Sequence, residues 1–167
     1  MTSSSKSDKV KKAVEQFSPI SVAAVSFIVL QYYKVEIVSA FLNGNWSVSS
    51  LYAAIFDWSA IQTGFLFGIY GFVASKKDGF IGEITGTYAM IWFISYIRRA
   101  IFTGFVLTFA SIPLVVIDLS LVANEGENYV WISLWMCLFI WAFLSFARAA
   151  YIFGLMARVR DKEDLAG

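Results

Sequence analysis

The residues best placed to do chemistry in this chain are a few charges set inside long apolar runs. Lys34, Glu36, Asp57 and Asp118 lie late or early in such runs, toward one end of each. A charge at the centre of a bilayer costs ~2.5–3.5 kcal/mol even on the gentlest scale, so intramembrane charges pair, line an ion path or reach the interface. The spacing admits two readings. In one, Lys34 pairs with Asp57 or Asp118 across a helical bundle; separately, in an assembly of copies Glu36 and Asp57 would line an ion path. In the other, all four reach interfacial water. Arg148 interrupts the last apolar run and is expected either to extend to headgroups or to contact Glu83, pinning the stretch 80–97 to the bundle.

The composition excludes much else. There is no His and one Cys, Cys137. An internal disulfide is therefore ruled out, and zinc, haem and imidazole acid–base chemistry lose their usual ligands. No GxxxxGK[ST], HExxH or Cys-rich pattern occurs. Paired acids for hydrolysis would need a water-exposed face, and hardly any chain remains to build one. No catalytic, cofactor-binding or metal-binding residue is expected, and the chain reads as a non-enzyme. A net charge of +1 without a basic, aromatic-laced surface speaks against nucleic acid.

The elements that must position these charges are membrane helices. The chain is 59% hydrophobic and 18% aromatic, with a mean hydropathy of +0.68. A soluble domain averages ~45–50% apolar. The apolar runs use nearly all 167 residues, so the expected class is an all-α integral membrane protein. It has four transmembrane helices in an antiparallel bundle. Residues 1–16 form a basic tail with Lys6, Lys9, Lys11 and Lys12, in which Val10, Ala13, Val14 and Phe17 recur at helical spacing. The transmembrane domain covers 17–160, with spans at about 19–42, 50–75, 100–122 and 129–156, and 161–167 is a second tail. Ser18-Pro19 reads as a helix start, because Ser caps well and Pro is tolerated at the first position. Asn43-Gly44-Asn45 reads as a stop. Pro113 should kink the third span, with Thr108 and Ser111 near enough to satisfy freed backbone groups.

Residues 80–97 are apolar but carry Glu83 and precede Arg98-Arg99. They read as an interfacial helix between spans two and three, continuous or not with the next span after a bend. A fifth span there would put both arginines on the opposite side of the membrane.

The second run, Asp57 to Lys77, is free of charge from Trp58 to Ser75 and contains Gly64, Gly68 and Gly71. At ~100° per residue these share one stripe with Asp57 and Ser75. Such a smooth face permits close helix packing, either within one chain or between copies. Gln62 lies on a different side and is expected to hydrogen-bond to another helix.

Orientation follows from the basic residues. The N-terminal tail, the segment holding Lys76, Lys77, Arg98 and Arg99, and the end holding Arg158, Arg160 and Lys162 carry nearly all of them. The loops 43–49 and 123–128 carry none. The positive-inside rule places both termini in the cytoplasm. The compact loops and the absence of a cleavable leader pattern point to a bacterial inner (plasma) membrane. The expected function is association, as a membrane subunit or anchor of a larger assembly, with lipid and either a second copy or another membrane or cytoplasmic protein as partners. The alternative is a homo-oligomeric channel, small transporter or membrane-perturbing effector.

Overall fold

The computed structural model describes residues 6–43, 47–75, 87–117 and 127–164. Among these residues every regular element is a helix, and no strand occurs: α1 (Lys6–Tyr32), α2 (Lys34–Leu42), α3 (Val48–Ser75), α4 (Tyr88–Ile117) and α5 (Glu127–Asp164). Glu83, Asp118 and the loop 123–126 lie outside the described residues. Two stretches are long and apolar enough to cross a membrane, Met90–Val116 in α4 and Asn128–Leu155 in α5. A third appears if the bent pair α1 and α2 is taken as one span.

The first expected span differs most. The helix does not begin at Ser18-Pro19. It begins at Lys6 and runs through Pro19, because a proline removes one backbone bond while the helical spacing of apolar residues continues upstream of it. Nor does it run straight to Leu42. It breaks at Tyr33, and α2 turns away by 68°. Tyr33 has ψ of 19°, where a helix holds about −42°, and that single rotation redirects the chain. Bonds from Tyr33 N–H to Val29 and from Ile37 N–H to Tyr33 flank the break. The turn carries Ile37, Val38 and Phe41 onto the core at that end of the bundle.

Residues 88–97 of the expected interfacial segment and residues 100–117 of the third span form one helix. α4 continues unbroken from Tyr88 past Arg98-Arg99 and through Pro113. Thr108 and Ser111 hydrogen-bond the carbonyls of Gly104 and Leu107, and not that of Phe109, the carbonyl that lacks an N–H at Pro113. The helix α3 is long enough to span but is not among those apolar enough to qualify, since Ser59, Gln62, Thr63 and the three glycines dilute it.

The helices pack in the order α3 on α4, α4 on α5, α5 on α1. Two apolar clusters fill the bundle. Tyr52, Ile55, Leu107, Ile132 and Trp135 form one end, and Leu66, Val73, Phe93, Ile97 and Ala149 the other. Between them lies a buried polar layer of Ser59, Gln62, Thr63 and Thr103. There α3 and α4 come closest. A Cβ on Gly104 would collide with Thr63 Oγ1 and lie 2.8 Å from Gln62 Nε2. Ser59 and Thr108 exchange a hydrogen bond of 2.9 Å beside this crossing, and Trp135 Nε1 donates to Ser111 Oγ at 2.9 Å to tie α5 to α4.

Adding one methyl at the crossing should force the helices apart. Gly104→Ala is expected to lower stability by ~1–3 kcal/mol, the usual cost of overpacking, read as the midpoint of detergent-driven unfolding. Gly64→Ala, where nothing lies within 4 Å of the added carbon, should leave that midpoint in place. Equal behaviour of the two variants would contradict the close approach.

Candidate functional site

The helix α3 positions polar groups on two opposite sides. Its inward side buries Ser59, Gln62 and Thr63 against α4. Gln62 is 2% exposed, and neither atom of its amide finds a hydrogen-bond partner. The outward side carries Asp57, Gly64, Gly68 and Gly71, all exposed. No described residue would touch a Cβ built on any of these three glycines. The bundle's own packing does not use the stripe. Its close contact is made by Gly104, which stands in a spaced series of small residues, Ala100, Gly104, Thr108 and Ser111. That spacing was the signal available in the sequence.

The outward side has the form of a trough. At ~100° per residue, Asp57, Gly64, Gly68, Gly71 and Ser75 make the floor. Ile61, Phe65 and Phe72 stand along one edge and Phe67 along the other, all exposed. Phe65 leans on Phe146 and Phe67 on Phe105, with ring centroids 6.3 and 5.6 Å apart. These contacts brace the walls against α5 and α4.

The expected ion pairing within the bundle is not formed between Lys34 and Asp57. Asp57 and Glu36 are exposed. Lys34 is half-buried, and its Nζ sits 5.5 Å from the centre of the Tyr129 ring. The same tyrosine donates its hydroxyl proton to the carbonyl of Leu30, the group that an unbroken helix would pair with Lys34 N–H. Tyr129 thus holds the bend between α1 and α2 by two contacts, one with each helix. It also lines a chamber of about 670 Å³ roofed by the bend, with Leu30, Phe41, Leu51, Ile132 and Met136.

At the other end, Arg148 reaches the stretch 80–97, but through Tyr96. Its Nη2 donates to the Tyr96 hydroxyl at 2.9 Å, and its guanidinium lies 4.1 Å from the ring centre. The partner expected from the sequence, Glu83, is outside the described residues. A second arginine repeats the arrangement between α4 and α3. Arg98 Nη2 points at the Tyr70 hydroxyl at 3.5 Å, and its guanidinium carbon lies 6.0 Å from the ring centre. Guanidinium–aromatic pairs of this kind are electrostatic and gain strength when desolvated.

Chemically the arrangement offers surfaces for association and apolar cavities. Among the described residues no group of three His, Cys, Asp or Glu side chains could hold a metal ion.

Replacing Tyr129 with Phe should keep the ring beneath Lys34 and remove only the bond to Leu30. The expected loss is ~0.6 kcal/mol, the average for such interhelical bonds, with an upper bound of ~1.7 kcal/mol. Spin labels on α2 and α5 should report a broader distance distribution. An unchanged midpoint and distribution would show that the hydroxyl does not hold the bend.

No protein-family model, curated protein or solved structure matches the chain.

Proposed function

We propose that this protein is a four-span membrane protein, with both termini in the cytoplasm of a bacterial inner membrane, that works by lateral association through α3. The observation that carries the reading is the outward trough of α3. A helix that is polar on its buried side and glycine-floored on its exposed side is a poor surface for lipid and a good one for another helix, because glycine lets backbones approach closely.

The level of the arginines supports four crossings. From Ala100 to Ile117 α4 rises ~26 Å, and from Tyr129 to Ala147 α5 rises ~27 Å. Each is close to the ~30 Å hydrocarbon core. With Arg98, Arg99 and Arg148 at the inner interface, residues 88–97 and 149–164 extend the bundle beyond the membrane on the cytoplasmic side. In the same frame α1 crosses, and α2, turned by 68°, lies closer to the plane of the outer interface. α3, the least apolar span, is accommodated by protein on both sides.

The partner is a second copy or another membrane protein, and the protein serves as a subunit or anchor without catalysis. The rival reading is an oligomeric channel or transporter. It draws on Asp57, which heads the trough, so that association of copies through α3 would gather one carboxylate from each.

Gly68→Leu fills the trough without touching the bundle core. The variant is expected to keep its helix content and unfolding midpoint while losing the crosslinked oligomer, or the co-purified partner, that the natural chain retains. Retained assembly would remove α3 from the interface. Ion flux from proteoliposomes that Asp57→Asn abolishes would move the reading to the channel.

A further inference from the structure

We propose that the crossing of α3 and α4 at the arginine level binds an anionic phospholipid, with its headgroup on Arg98 and an acyl chain in the adjoining groove. The groove holds about 290 Å³ and is lined by Phe67, Tyr70, Arg98, Ile101, Phe102 and Phe105. Its charge is all at one end. From Arg98 the groove follows α4 toward the middle of the apolar stretch, and Phe105 lies ~10 Å along the helix from the arginine.

Three features select this occupant. The first is charge. Arg98 is exposed, and its contacts among the described residues include the neutral hydroxyl and ring of Tyr70. No carboxylate among the described residues offsets it, so it retains its demand for an anion. Arg99 follows on the same helix, and Arg148 reaches the same helix from α5 through its bond to Tyr96. The second is the wall. Phe102 is 65% exposed, and Phe67 and Phe105 are also exposed. A small inorganic anion would leave these rings uncovered, whereas an acyl chain covers them. The third is position. Basic pockets between membrane helices near the cytoplasmic face suit anionic headgroups, and Tyr70 offers its hydroxyl beside the guanidinium as a further hydrogen-bonding group for a phosphate or glycerol oxygen.

The site shares Phe67 with the edge of the trough and Phe105 with its brace, but none of its glycine floor. Association through Gly68 can fail while lipid retention stands, and the reverse.

The test is native mass spectrometry of the full chain released from detergent, after addition of phosphatidylglycerol or phosphatidylcholine with identical acyl chains at equal concentration. The natural chain should retain phosphatidylglycerol about fivefold better, the effect expected of one basic side chain at an anionic headgroup. Arg98→Gln should abolish that preference, and Arg98→Lys should keep most of it. Phe102→Ala should weaken retention with the charge unchanged. Circular dichroism of each variant reports whether the helices are intact. Equal retention of the two lipids, a preference that survives Arg98→Gln in a folded variant, or displacement of the lipid by millimolar inorganic phosphate would each overturn the proposal.

Discussion

Lipid tails are as apolar as leucine, so helices inside a bilayer gain nothing by hiding from their solvent. What remains is fit and hydrogen bonding, and both are concentrated where α3 crosses α4. Gly104 removes the carbon that would strike Thr63. The resulting approach puts Ser59 within 2.9 Å of Thr108 and encloses the polar layer that separates the two apolar clusters. α5 is then tied to α4 by Trp135 and Ser111, and α1 to α5 by Tyr129 and Leu30. Widening the first crossing would loosen each later contact.

The cost of this arrangement is visible at Gln62. An amide buried to 2% exposure with both polar atoms unpaired is unfavourable in any low-dielectric setting. It is tolerated here because the same turn of α3 contributes Ser59 and Thr63, whose hydroxyls are bonded. α1 is the contrasting case. Apart from Ala23, most of its apolar side chains are exposed, and shallow cavities separate it from α5. Tyr129 contacts its end, whereas most of its length is exposed.

Much of the molecule was legible from residue types alone. Apolar runs of helical length located both ends of α3 and the start of α5 to within two residues, whereas α5 continues to Asp164, past the expected end at 156. The location of Gln62 away from the glycine stripe on α3 was legible too, whereas the hydrogen bond to another helix expected of it is not formed. The break at Tyr33 was not legible, because the residue is neither Pro nor Gly and its conformation is held by Tyr129, distant in sequence. The continuity of α4 across Arg98-Arg99 was one of two readings that the sequence left open. Two charges in an apolar run read as a boundary, and only Tyr70 across the helix pair shows how one of them is accommodated.

The sequence by itself determined that the chain is helical, that at least two of its helices are long and apolar enough for a membrane, and where its charges fall along them. These properties are local, set by composition and by rise per residue. The tertiary structure decided which side of each helix meets another. In water the apolar side of a helix marks the core. In lipid both the buried and the exposed sides are apolar, so periodicity no longer tells them apart. The choice falls to shape, which places Gly104 against Thr63 and leaves Gly64, Gly68 and Gly71 facing outward.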